Sequence, residues 1–198
     1  MQTKQEEFNE LLRMTNREGV EYVIEDLTSL GFFEAPASSV FHLNIEGGLV
    51  EHSLNVCKVA LELREVMIKL DDSLRDSLPK DSVIIASLLH DVCKSDIYKP
   101  VIKKQKNQYG VWVDKPGYNL DYTNFPLGHG EKSVIMLLRS GLDLSDDEIM
   151  AIRWHMHSWD LPFQSADIKA NLDAAKKQCP LIALIIAADG LAANMLEK

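Results

Sequence analysis

The chain has 198 residues, 46% hydrophobic and 26% charged, with 10 glycines, 7 prolines and 3 cysteines; these are values of an ordinary folded domain and exclude disorder, a collagen repeat and a disulfide scaffold. Lys and Arg number 21 against 30 Asp and Glu, and the formal net charge of −9 excludes a protein whose whole surface grips nucleic acid. At this length roughly 70% of the unfolded surface is buried on folding, so a metal here would serve chemistry rather than staple the fold.

The opening MQTKQEEFNE is acidic and polar, unlike a secretory or transit leader. Residues 6–14 and 18–30 read as short amphipathic helices, the second closed by Gly31, and Pro36 with two serines marks a loop. From Gly48 to about Leu70 the pattern predicts a long helix. Its apolar stripe is Val56, Val59, Leu63, Val66 and Leu70, with Lys58, Glu62, Glu65 and Lys69 opposite, and the stripe extended backwards lands on His52. After Pro79, Asp81 or Ser82 can cap a helix through Cys93 that is apolar almost all round, as fully buried helices are, yet it carries His90 and Asp91 near its end. Between Ile97 and Pro126 the helical period is lost, and residues 101–103 and 111–113, separated by Asn107 and Gly110, predict a small β-hairpin. Residues 128–139, 145–157, 167–177 and 181–196 restore helices. The expected architecture is one all-α domain over residues 1–198, a helical bundle with a small hairpin insertion. The longest apolar run, around Ile182 to Ala188, is far short of the ~20 residues of a membrane span. Cys57, Cys93 and Cys179, odd in number and without CxxC spacing, read as reduced buried thiols. We therefore expect a cytoplasmic protein with no membrane partner.

Polar residues stand where these patterns call for apolar ones. An Asp beside an imidazole at the end of a helix with no solvent face, as at His90-Asp91, costs several kcal/mol unless a partner compensates its charge. A divalent cation is such a partner, imidazole and carboxylate being its ordinary ligands; a structural His-Asp hydrogen bond is another. Asp189 falls on the stripe Ile182, Ile185, Ile186, Ala193 and Leu196, where backbone donors could also satisfy it. His52 could be a core histidine, and His129 in PLGHGEK a helix-start residue. His155 and His157 in IRWHMHSWD straddle a helix end, where a cationic imidazole suits the dipole. Each such account stands alone, but five must coincide in one chain.

In the order His52, His90-Asp91, His129, His155, Asp189 the chain resembles the HD superfamily of metal-dependent phosphohydrolases, whose metal ligands run H, HD, H, H, D. The framing segments GGLVEHSLNV, LLHDVCK, GHGEKSV and AADGLAAN match as well. The likeness spans about residues 40–195 and is nearest to the HD domain of bacterial exoribonucleases and to small stand-alone HD proteins. It implies an HD core over 40–195, to which the residue pattern adds N-terminal helices in 1–39 and a hairpin insertion at about 96–127. It further implies one or two divalent ions per chain (Mn, Fe, Co, Ni, Mg or Zn), the first held by His52, His90, Asp91 and Asp189. His129 and His155 would complete a second metal site or contact the phosphate. Met156 separates the two late histidines, and His155, which matches the family's WHM pattern, is preferred to His157. Glu51, a supporting carboxylate or ligand in some relatives, projects about 100° from His52, toward the polar face of Lys58 and Glu62.

By the same resemblance Asp91, Lys94 and His129 take catalytic roles, Lys94 by meeting a substrate phosphate. A His/Asp-held divalent ion lowers the pKa of water and polarises a phosphoryl oxygen, so no protein nucleophile is needed. The expected activity is hydrolysis of a phosphate ester in a small phosphorylated substrate, a nucleotide among the candidates, with nucleic acid entering only as substrate. Residues 94–115 hold six lysines against two aspartates, which either admit an anionic substrate or guard an exposed strand edge. Trp112, Trp154, Trp159, Tyr118 and Tyr122 either stack a base or pack as half-buried aromatics, and the loop at residues 158–164 would shape the pocket. Two other classes carry the same ligand set: a di-iron oxygenase, and a regulatory module that binds a nucleotide without turning it over. No Gly-rich P-loop, G-x-S-x-G elbow or GYP segment supports a different chemistry.

Overall fold

A computed structural model of the chain describes residues 2–157 and 165–197. Helix α1 (Lys4–Met14) opens on Thr3, whose hydroxyl accepts from the Glu6 amide while the Glu6 carboxylate accepts from the Thr3 amide, a reciprocal cap that satisfies two orphan donors. It buries Phe8 and Leu12, and Phe8 packs with Phe32 and Phe33 at ring separations of 5.2 and 5.5 Å. Helix α2 (Val20–Ser29) buries Val20, Val23, Ile24 and Leu27 at helical spacing.

Helix α3 (Gly48–Leu70) has the expected bounds but not the expected face. Its buried row is Leu49, His52, Ser53, Val56, Cys57, Ala60, Arg64 and Ile68, whereas Val66 and Leu70 are exposed. The apolar stripe read from the sequence is the flank of the true face. Small residues occupy the centre of that face because α5 lies close, and the buried Arg64 is held by the Leu78 carbonyl at 2.6 Å. A one-turn helix, α4 (Leu74–Ser77), which the pattern did not signal, leads into α5 (Lys80–Leu89).

Every residue of α5 from Ser82 to Leu89 is buried. The helix stops at Leu89 rather than Cys93, with His90 as C-cap, and a 3-10 turn (Val92–Asp96) follows. The insertion is an antiparallel hairpin of β1 (Tyr98–Lys106) and β2 (Trp112–Leu120), in register from Tyr98 opposite Leu120 to Lys106 opposite Trp112. Both strands are longer than the β-rich triplets of the sequence indicated, because Tyr98, Lys99 and Pro100 pair with Leu120, Asn119 and Tyr118, and Lys104, Gln105 and Lys106 with Asp114, Val113 and Trp112.

Helices α6 (His129–Arg139), α7 (Asp146–Trp154), α8 (Ala166–Gln178) and α9 (Pro180–Leu191) complete the bundle, and a π turn (Ala192–Leu196) continues α9. Helix α7 ends at Trp154, three residues short of the sequence reading. In the bundle α5 packs against α3, α7 and α9, and one apolar core runs from Phe8 to Ala192. Arg17 ties the N-terminal helices to this bundle by two 2.8 Å contacts with the buried Glu148 carboxylate. Among the described residues no single helix is long and apolar enough to cross a membrane.

Candidate functional site

Helix ends deliver the site. Each of Val83, Ile84, Ile85, Leu88 and Leu89 contributes about 1.5–3 kcal/mol by burial, and together they carry the end of α5 into the interior. His90 and Asp91 arrive there 0% and 2% exposed. His52 comes from the second turn of α3, His129 from the first residue of α6, His155 from the C-cap of α7 and Asp189 from α9.

Asp91 is the centre. Its Oδ1 lies 2.6 Å from His129 Nε2 and 3.4 Å from His155 Nε2. Its Oδ2 lies 2.6 Å from Lys94 Nζ, 3.3 Å from His90 Nε2 and 3.6 Å from His52 Nε2. His52 Nε2 also stands 3.3 Å from Asp189 Oδ1 and 3.3 Å from His90 Nε2. The chain thus brings together all seven residues singled out in the sequence, His52, His90, Asp91, Lys94, His129, His155 and Asp189.

Ring orientation decides what these atoms can do. His90 Nδ1 is 2.8 Å from the Ser87 carbonyl and His155 Nδ1 is 2.7 Å from the Ile152 carbonyl. A carbonyl only accepts, so each Nδ1 carries the proton and each Nε2 of the neutral ring presents a lone pair. His52 Nδ1 faces the Glu197 carboxylate at 3.0 Å, with the same result. His52 Nε2, His90 Nε2, Asp91 Oδ2 and Asp189 Oδ1 therefore converge as acceptors. The buried Nε2 of His155 has no hydrogen-bond partner among the described residues. With the rings neutral, acceptors facing acceptors need protons or a further cation between them, beyond the Lys94 ammonium already on Asp91 Oδ2.

The titration behaviour carries the same message. Burial disfavours the His52 imidazolium, but Asp189 and Glu197 outweigh it and raise His52 to about 9. For His129, burial is overcome by Cys93 and Asp91, and the imidazole rises to about 10. Asp91, despite burial, is held well below the usual carboxylate range by Lys94, His90 and His129. Asp189 is likewise lowered against its burial, chiefly by His52. His155 is pushed down because burial outweighs its contact with Asp91. Protons thus stand in for a cation, and a divalent ion would displace them.

The donor set fits a metal. His52, His90 and Asp91 form one group of converging ligand atoms and Asp91, His129 and His155 a second, with Asp91 offering a different oxygen to each. Nitrogen and carboxylate oxygen in this mix suit first-row divalent ions.

The surroundings revise several expectations. Glu51 pairs with Lys4 at 2.7 Å on the outer side of α3. A cleft of about 280 Å³ opens on the site, lined by His42, Asp91, Lys94, His155, His157 and Asp189 among others. Lys94 is the lysine of the 94–115 stretch that reaches it. Lys103 instead bonds the Tyr118 carbonyl at 2.6 Å and Lys106 lies over the Trp112 ring, so the hairpin itself accounts for them. Trp112 and Tyr122 are exposed, Trp154 packs against the core, and Trp159 and the 158–164 loop lie outside the described residues. His157, at φ +36°, stands at the cleft rather than against Asp91. Sequence reading missed two neighbours, His42, whose ring lies tilted 5.0 Å from that of His52, and Glu197. His42 sits in an irregular loop with no period to betray it, and Glu197 lies beyond the end of a regular helix.

The HD domain family matches residues 49–194, about three quarters of the chain. The chain belongs to the HD domain family. All six HD-signature residues fall inside the matched span, while His42 and Glu197 fall outside it. The chain is similar to a curated protein of Methanocaldococcus jannaschii, dihydroneopterin 2',3'-cyclic phosphate phosphodiesterase, at 35% identity over 95 residues; the alignment takes in 48% of this chain and 34% of that protein. No solved structure matches the chain significantly.

Proposed function

We propose that this HD protein is a metal-dependent phosphohydrolase acting on a small phosphate ester, with a cyclic phosphodiester as the first substrate class to test. The observation that carries the reading is the convergence of acceptor atoms on both oxygens of a buried carboxylate, with Lys94 beside them. His52, His90, Asp91 and Asp189 would hold one divalent ion, and Asp91, His129 and His155 a second. Such ions, when bound, polarise a phosphoryl oxygen and lower the pKa of water. The chain's own residues do the rest. The Ser87 and Ile152 carbonyls lock the His90 and His155 rings, so the ligand atoms are preorganised. Lys94, within reach of both Asp91 and the cleft, neutralises charge on the phosphate. His42 lines the cleft, with its buried Nε2 3.8 Å from the Glu197 carboxylate.

The size of the cleft supports a small substrate, since about 280 Å³ falls just under the ~300–1000 Å³ of small-molecule sites. The named activity of the archaeal relative supports a cyclic phosphodiester. The test is turnover of 2',3'-cyclic phosphodiesters, linear phosphodiesters and phosphomonoesters with Mn, Fe, Co, Ni, Mg or Zn. Metal-dependent release of one product class, abolished in Asp91→Asn, is expected. Oxygen-dependent oxidation without phosphate release would overturn the reading in favour of the di-iron class, and stoichiometric nucleotide binding without product in favour of a regulatory module.

A further inference from the structure

His90 and His155 each occupy the C-cap of a helix, where the carbonyl three residues back is free to accept from Nδ1. His52 differs. It lies within the body of α3, where the neighbouring carbonyls are engaged in the helix, so its Nδ1 needs an acceptor from elsewhere. Glu197 provides it: both carboxylate oxygens stand 3.0 and 3.1 Å from His52 Nδ1. Asn55, one turn after His52 on the same helix, donates its amide to Glu197 Oε1 at 3.0 Å and so fixes the carboxylate. Glu197 is 6% exposed.

The backbone between Asp189 and Glu197 is shaped for this contact. On a regular helix the residue sharing the face of Asp189 two turns later is Leu196, and Glu197 would point about 80° away from Asp189. The π turn Ala192–Leu196 takes in an extra residue. Leu196 is thereby turned outward, 55% exposed, and Glu197 turned in toward His52.

We propose that Glu197 is a positioning residue for the metal centre, acting through His52. Its carboxylate fixes the Nδ1–H tautomer and ring angle of His52 and makes Nε2 a stronger donor to the ion shared with His90, Asp91 and Asp189. The inference rests on the proposed metal centre, and it is specific to one half of it. The Asp91, His129 and His155 group has its own backbone-held imidazole in His155 and does not use Glu197.

The experiment compares Co²⁺ binding, by calorimetry and visible absorption, in chelator-stripped wild type, E197A, E197Q and N55A. Loss of a carboxylate behind a ligating histidine lowers metal affinity by about 10–100-fold. E197A is expected to show that loss at one site with the other unchanged, and E197Q, whose amide oxygen still accepts from Nδ1–H, to recover part of it. N55A, which frees the carboxylate without removing it, should fall between wild type and E197A, and it carries the comparison if E197A does not fold. In Zn²⁺-loaded, ¹⁵N-labelled protein the His52 Nδ1–H resonance should be protected in wild type and lost in E197A. Co²⁺ affinity unchanged at both sites in folded E197A, even with a lowered melting temperature, would reduce Glu197 to a structural latch and overturn the proposal. Wild type that takes up no Co²⁺ would overturn the metal centre and this inference together.

Discussion

His155 and His157 lie two residues apart and meet different surroundings. His155 is buried with its Nε2 3.4 Å from Asp91 Oδ1, whereas His157 follows the helix end in a left-handed conformation and borders the cleft. His155→Ala is expected to remove one bound metal per chain together with the activity, and His157→Ala to keep the stoichiometry. Elemental analysis of chains purified to constant metal content checks this, and the opposite ranking would reassign the role. Lys94 offers a second test. Its ammonium, 2.6 Å from Asp91 Oδ2, is raised above its ordinary range because the Asp91 charge outweighs burial, so it stays charged in the cleft. Lys94→Met should lower kcat/KM for a phosphate ester by ~10²-fold, the usual cost of removing one preorganised donor to a developing oxyanion. Metal content should not fall.

Helices α6 and α7 are held together by a missing side chain. A Cβ on Gly130 would come 2.3 Å from the Arg153 carbonyl and 2.7 Å from that of Ile152, so α6 can start here only against a glycine. The same close approach sets His129 beside His155, with ring centroids 5.5 Å apart. Gly130→Ala must push α6 away from the end of α7. It should cost about 1–3 kcal/mol, as overpacking does, and weaken metal binding at the Asp91, His129 and His155 group more than at the other. Denaturant unfolding and metal titration of the same variant separate the two effects. Gly48 plays the matching part at the start of α3, where a Cβ would meet the Leu43 carbonyl at 2.1 Å and displace the loop that carries His42.

In the metal-free chain the site's protons contribute to stability in a pH-dependent way. His52 and His129, at about 9 and 10 against 6.5 for an ordinary imidazole, add stability that is fully present below pH ~6.5 and is lost as pH rises through 9 and 10. Asp91, Asp189 and Glu197, all lowered, add stability that is present above the ordinary carboxylate range and lost in acid. His42 and His155, both lowered chiefly by burial, work in the opposite sense and add stability that is present above pH ~6.5 and lost below it, so the stripped protein should be most stable near pH ~6.5 and lose melting temperature steadily toward pH 10. The loaded protein, its imidazoles already deprotonated as ligands, should not show that alkaline decline. Since the apolar core from Phe8 to Ala192 does not depend on the site, chelation should leave helicity intact. At 100-fold excess of metal over Kd, loading adds about 2.7 kcal/mol, or roughly 5–10 °C for a chain of this size. A chelated chain that unfolds at room temperature would contradict this division between core and site.

Much of this was legible in the residues. The unbroken apolar run before His90-Asp91 announced a buried helix with a charge at its end, and the resemblance of the order of histidines and aspartates to the HD pattern grouped residues that periodicity left as separate anomalies. The hairpin and nearly every helix followed from periodicity and breakers. What periodicity could not reveal was which flank of α3 faces inward, since Val59, Leu63 and Val66 are as apolar as Val56, Cys57 and Ala60, and only the closeness of α5 selects the smaller row. Nor could it place Glu197, because a π turn breaks the 3.6-residue period on which the reading of α9 relied. The pairing of Arg17 with Glu148 and the meeting of five separate helices around Asp91 and His52 depend on distances across the fold. Local sequence specifies what each helix end carries, but which ends meet is set by how the helices pack.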